Sequence, residues 1–199
     1  MPDLWNDPAP TAWRRALDSY PATVRAQGVA RLAELDEWYH GELAADLASR
    51  RPASLTHGEL VRITEWKMAR GVWRAPNLVL VRSNDAQAVR DTSTAAFAQV
   101  PHPKAPVATL TDLAGVGPAT ASAALAALAP DRYPFFDELV AAQAAGLPKV
   151  AWTLGYYVRY AEALRERAST LGGEWTPALV ERALWAHVGG KAGVSKTDK

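Results

Sequence analysis

The sequence predicts an all-α fold, and three observations carry that prediction. The apolar fraction of 49% is ordinary, but much of it is alanine, which favours helices over strands. Apolar residues recur three and four positions apart along most of the chain. No stretch alternates with period two, and only residues 78–81, Leu-Val-Leu-Val, are short enough to read either way. Helix-capping residues and Gly or Pro breaks cut the chain into segments of helical length. At 199 residues the chain fits one domain with a sizeable core.

Residues 1–21 carry Trp5, Trp13, Tyr20 and four prolines, and read as an irregular arm with one helical turn at Ala12 to Asp18. Its aromatic residues would pin it to the body, a helical domain over residues 22–188. From Ala22 to Arg50 the apolar positions Val24, Val29, Leu32, Leu35, Trp38, Leu43 and Leu47 keep mostly helical spacing, interrupted near Gly41, which predicts one long helix or two with a break there. Thr56 followed by Glu59 forms a capping box for a helix from about His57 to Arg70, which Gly71 ends. Lys67 lies one turn after Ile63 and two after Leu60, inside the apolar arc of that helix. A short helix should follow Pro76, and Ser83 or Asn84 should cap another that reaches about Ala98. Three prolines between Pro101 and Pro106 mark a connector.

The connector leads into residues 110–121, LTDLAGVGPATA. A short helix with Leu110 and Leu113 on one face ends at Gly115-Val116-Gly117, and the next begins at Pro118. Glycine supplies the positive φ that stops the first helix, and proline suits the first position of the second because its missing N–H would be unpaired there. This is a helix-hairpin-helix. Its turn leaves the N–H groups of Gly115, Gly117 and the start of the second helix to meet one phosphate, and the helix dipole adds positive potential. Such a grip holds a nucleic-acid backbone without reading sequence.

Beyond the hairpin, an alanine-rich helix spans Ala119 to Ala129, and Pro130 and Pro134 bracket a turn. Further helices are expected from Phe135 to about Gly146, from Pro148 to about Ser169, and from Thr176, a cap followed by Pro177, to about Val188. Residues 189–199 hold three lysines and read as a mobile tail.

Composition sets limits. There is no cysteine, which excludes disulfides, thiolate zinc sites and iron–sulfur clusters. The four histidines show no metal-ligand spacing. No signal-peptide core or apolar run of about 18 residues appears, so the expectation is a cytoplasmic protein with no membrane partner, lying at the nucleoid in a bacterium. A net charge of +1 and pI of 8.0 are lower than a strong non-specific DNA binder carries, so any nucleic-acid surface is local.

Residues Leu113-Ala-Gly-Val-Gly-Pro-Ala-Thr-Ala121 resemble the hairpin of the helix-hairpin-helix DNA glycosylase superfamily. Those proteins place an essential aspartate at the start of the helix after the hairpin pair, and Asp137, in Phe136-Asp-Glu-Leu-Val140, stands at the matching distance. The resemblance covers residues 84–146 and implies a glycosylase-like helical fold, duplex DNA as partner and a role in base-excision repair. It implies DNA contact through Gly115, Val116, Gly117, Ala119 and Thr120, no organic cofactor, and Na⁺ or K⁺ on the main-chain carbonyls of Leu113 and Val116. Three departures matter. Members that also cleave the backbone carry a lysine where this chain has Ala119. The family's Thr or Asn and His or Val after the aspartate are here Glu138 and Leu139. The iron–sulfur branch needs cysteines.

Excising a base requires a flipped nucleotide, a pocket with a π-face, and a carboxylate near C1′. Asp137 is the candidate carboxylate, and at a helix N-terminus its ionised form is favoured; the plain alternative is that it only caps its helix. Lys67 either snorkels to the surface or sits desolvated with a lowered pKa, as an amine nucleophile requires. Trp66, Arg70, Trp73 and Arg74 surround it. Between residues 62 and 104 seven Lys or Arg stand against three acids, and basic residues interleaved with tryptophan suit phosphate contact and base stacking. The competing reading puts the tryptophans in the core and the arginines in ion pairs.

The expectation is a DNA-binding protein, acting as a monofunctional glycosylase through Asp137 if it is an enzyme. The alternatives are a non-catalytic module that recognises DNA shape, or a protein-interaction scaffold that has lost DNA. Oligomeric state is not legible in the sequence.

Overall fold

The computed structural model describes residues 3–197, with side chains through Val194. It is all-helical, with no strand among the described residues. After a 3₁₀ turn at Leu4–Asn6 come α1 (Pro10–Asp18) and α2 (Tyr20–Ala26), then α3 (Leu32–Trp38). The expected irregular arm is therefore helical from Pro10 onward. Trp13 explains why: it is fully buried, packs edge-on to Trp175 with centroids 6.1 Å apart, and donates from Nε1 to the Asp7 carbonyl at 2.9 Å. Burying that face against the C-terminal helices stabilises α1 beyond its local propensity.

The stretch from Ala22 to Arg50 is neither one long helix nor broken near Gly41: it breaks at residues 27–31, and around Gly41 the backbone runs on through a π-helical stretch, Tyr39–Leu43, into α4 (Ala44–Ser49). The widened turn keeps Tyr39 and Leu43 buried. The Thr56–Glu59 capping box is present and starts α5 (His57–Arg70). α6 (Ala75–Arg82) follows, which settles residues 78–81 as helix. α7 (Ala86–Phe97) is capped by Asp85, whose Oδ1 accepts from the N–H groups of Gln87 and Ala88, rather than by Ser83 or Asn84. Asn84 is engaged elsewhere.

The hairpin helices are α8 (Ala105–Leu110) and α9 (Pro118–Leu128). α9 is buried on nearly every side, the use to which its small side chains are put. The next helix, expected from Phe135 to Gly146, is only α10 (Glu138–Ala141), because Asp137 caps it and Phe135 and Phe136 run into the core. α11 (Leu154–Leu171) starts at the Thr153 cap, and α12 (Pro177–His187) at the Thr176 cap. Gly190–Thr197 forms α13, where a mobile tail was expected; residues 198 and 199 lie outside the described residues. Among the described residues no helix is long and apolar enough to cross a membrane.

Candidate functional site

The hairpin turn is held from behind by two asparagines. Asn84 Oδ1 accepts from the Ala114 N–H at 2.8 Å and its Nδ2 donates to the Ala114 carbonyl at 2.9 Å, while Asn77 Nδ2 donates to the Gly115 carbonyl at 3.0 Å. Gly115 has φ +73°, and a Cβ there would stand 2.8 Å from the Asn77 carbonyl oxygen. The first demand is local to the turn, and the second is set by α6 packed against it. Gly115→Ala is expected to cost about 1–3 kcal/mol, read as a lower urea midpoint. Gly117 has φ −99° and open space where a Cβ would go, so Gly117→Ala leaves the midpoint unchanged.

The Val116 N–H is spent on the Leu113 carbonyl at 3.1 Å and the Val116 side chain is buried. Val116 is therefore a core anchor and not a DNA contact, as a residue facing inward from a tight turn must be. The N–H groups of Gly115, Gly117, Ala119 and Thr120 donate to no backbone carbonyl among the described residues. They crown α9, where the helix dipole is positive. Thr120 is 1% exposed and its Oγ1 has no hydrogen-bond partner. Of the two carbonyls expected to hold a monovalent cation, that of Leu113 takes the Val116 N–H and that of Val116 accepts no hydrogen bond among the described residues.

This turn forms one wall of a 370 Å³ cleft. Lys67, Arg70 and Arg74 line it from α5 and the residues that follow, Asp137 and Glu138 from the start of α10, and Phe136 and Trp152 supply an aromatic side. Two residues that sequence reasoning singled out independently, Lys67 and Asp137, thus share one cavity with the hairpin. Its lining has four basic side chains, Lys67, Arg70, Arg74 and Lys191, against the two acids. Trp152, 48% exposed and 4.8 Å from the Phe136 ring, was missed; nothing in its surrounding sequence distinguishes it.

Asp137 caps α10, accepting from the Leu139 N–H at 2.8 Å through Oδ1. Its Oδ2 is 3.8 Å from Arg70 Nη2, and the same nitrogen donates to Glu181 at 2.7 Å. All three groups are buried. Burial pushes the Asp137 carboxyl above its ordinary value, against the pull of Arg70 and of the Leu139 and Val140 N–H groups. The sequence-based expectation of a carboxylate favoured in its ionised form is corrected here: a helix terminus lowers a pKa by a modest amount, and desolvation outweighs it. Burial likewise pushes Glu181 up to about 7. One guanidinium faces two carboxylates in a dry environment, so the pair keeps its last proton to well above the normal carboxylate range.

Arg70 itself is 1% exposed and is ringed by aromatic side chains, with its guanidinium carbon 4.4 Å from the Trp185 centroid and 5.1 Å from those of Trp66 and Phe135. It is a structural cation and not a phosphate contact. Trp66 is fully buried, stacked on Tyr39 at 3.7 Å and bonded through Nε1 to Asp36 at 2.9 Å, so it cannot stack a base. The helical wheel held the signal, since Ile63, Trp66 and Arg70 fall on one face. Of the other basic residues, Arg62 pairs with Glu34 and lies over Trp38, and Arg82 pairs with Glu65. Lys67 is half-buried, forms no ion pair or hydrogen bond among the described residues, and is pushed below its ordinary pKa by burial and by Arg74. Trp73 and Arg74 remain exposed, beside Val72, and an apolar strip of Val79 and Leu80 continues along α6 next to the hairpin.

Among the described residues no group of three His, Asp or Glu side chains is placed to hold a metal. Comparison of the chain with protein-family models, with curated proteins and with solved structures gives no match.

Proposed function

We propose that the chain binds duplex DNA through the hairpin and hydrolyses the N-glycosidic bond of an altered base. One observation supports this above the others: the unpaired amides at the head of α9 and the Asp137 carboxyl open onto the same 370 Å³ cleft. That volume is within the range of about 300–1,000 Å³ typical of sites for small organic groups. In this reading the amides hold a backbone phosphate, Trp152 and Phe136 offer a π-face to the extruded base, and Asp137 orients water or stabilises the positive charge that develops at C1′. Arg70 opposes the effect of burial and favours the anion of Asp137.

A second reading has its own support. Both oxygens of Asp137 already have partners, one in the α10 cap and one facing Arg70, as in a non-catalytic module that binds DNA by shape. An excision screen over deaminated, oxidised and alkylated bases in duplexes separates the two. Release of any one base supports the enzyme, and binding without release of any supports the module. A gel-shift series in rising salt tests DNA binding itself. The affinity is expected to fall with a log–log slope near −0.9 for each phosphate engaged, and Gly117→Asp, which sets a carboxylate among the amides, is expected to weaken it at least tenfold. Absence of binding at low salt would leave the apolar strip of α6 as a protein-interaction surface.

A further inference from the structure

A second cavity, of 300 Å³, is divided from the cleft by Phe135, which borders both, and by an ion pair with Arg70 on the cleft side and Glu181 on the other. It is open because small residues meet there: Ala44 from α4, Ala126 and Ala127 from the end of α9, and Ala178 from the start of α12. Tyr39, Trp66 and Phe135 give it aromatic walls. The π-helical stretch supplies both Tyr39 and His40 to the lining, and widened turns of this kind are found mostly at functional sites.

Arg182, also in the lining, is the group the fold leaves unexplained. Its chain neighbour Glu181 is spent on Arg70, and Arg182 itself forms no ion pair among the described residues. Its guanidinium carbon stands 4.6 Å from the Tyr20 ring centroid, and its buried Nε has no hydrogen-bond partner. A guanidinium partly withdrawn from water and lacking a carboxylate is suited to receive one, because its planar fork holds a carboxylate through two parallel hydrogen bonds. His40 adds no charge, since burial and Arg182 push its pKa down to about 3. Its Nε2 lies 3.5 Å from the Tyr20 hydroxyl, while its Nδ1 makes no hydrogen bond among the described residues. The Tyr39 hydroxyl is committed to the Ala123 carbonyl at 2.5 Å.

We propose that this second cavity binds a small aromatic carboxylate, with the carboxylate on the Arg182 guanidinium and the ring among the aromatic and alanine side chains. Its volume stands at the lower end of the range of about 300–1,000 Å³ typical of sites for small organic groups, which suits an acid of one or two rings. A bare phosphate would match the charge but leave the apolar walls unfilled, and a cationic ligand would meet Arg182 with like charge. The site is independent of the DNA-binding reading, because neither the hairpin nor Asp137 contributes to its lining.

The test titrates benzoate into the full chain and follows the indole N–H signals of its tryptophans by NMR. Trp66 borders the second cavity and Trp152 the first cleft, so the two signals report which of them the anion enters. The expected result is a saturable shift of the Trp66 signal, with one site per chain and the Trp152 signal unmoved. Benzamide, which has the same shape without the charge, is expected to bind at least tenfold more weakly. Arg182→Met, which removes the guanidinium, and Ala44→Leu, which fills the cavity, should each weaken benzoate at least tenfold, with urea midpoints measured on the same preparations. The benzamide comparison uses the unaltered chain and so holds whatever the midpoints of the variants. A shift of Trp152 without Trp66, equal affinity for benzamide, or no saturation up to about 10 mM benzoate, weaker than a preformed site gives a ligand of this size, overturns the proposal. Displacement of benzoate by an equal concentration of inorganic phosphate also overturns it, because the aromatic walls would then contribute nothing.

Discussion

Asp137→Asn is expected to reduce base excision at least 100-fold while leaving the fold and DNA affinity close to wild type. The substitution separates the two roles of this side chain. Asparagine caps helices about as well as aspartate, and its Oδ1 can accept the same Leu139 N–H that Asp137 accepts at 2.8 Å. What it cannot do is carry the negative charge that stabilises a developing oxocarbenium ion or orients the attacking water, an effect commonly worth 10²–10³ in rate. Single-turnover excision, a urea midpoint and a gel shift on the same preparation make the comparison. Excision at the wild-type rate in Asp137→Asn would show that the residue serves the α10 cap alone. Because burial raises the Asp137 pKa, the acid limb of wild-type activity should lie above the pH at which an exposed aspartate titrates.

Arg70→Met carries the largest expected loss of stability. The guanidinium neutralises Glu181 at 2.7 Å and faces Asp137 at 3.8 Å, and all three side chains are buried. Removing it leaves two buried carboxylates without a counter-ion, a loss of about 3–5 kcal/mol. It also empties part of the aromatic ring formed by Trp66, Phe135 and Trp185. Adding Glu181→Gln to Arg70→Met should recover part of the loss, since the neutral amide needs no cation. Non-recovery in the double variant would mean that packing, not charge, dominates the site.

The same cluster makes stability depend on pH in a defined window. The Glu181 carboxyl is pushed up to about 7, above its unfolded value of 4.5. The folded state therefore binds this proton more tightly. The resulting stabilisation is fully present below about pH 4.5 and is lost as pH rises through about 7. Urea midpoints across pH 4.5–7.5 should fall more steeply for wild type than for Glu181→Gln, which has no proton to lose. Parallel curves would place the retained proton elsewhere.

The sequence by itself determined the all-helical class and those helix ends that depend only on chain neighbours. The capping box Thr56–Glu59, the Thr176 cap, and the Gly115 turn leading to Pro118 act within a few residues, and each is found where residue pattern placed it. The presence of Lys67 in an apolar arc was also legible, from the positions of Leu60 and Ile63 alone. What only the tertiary structure decided is how charge and burial combine. Arg70 pairs with a residue 111 positions away, so no local pattern distinguishes a buried structural cation from a phosphate contact. Trp66 reads like a stacking residue until Tyr39 and Asp36 close over it. A helix terminus favours the ionised form of the Asp137 carboxyl, yet burial pushes its pKa above the ordinary value, because desolvation is set by everything packed around it. Convergence of the hairpin, Lys67 and Asp137 on one cleft belongs to the same class: three segments far apart in the chain meet because α9, α5 and α10 share a core.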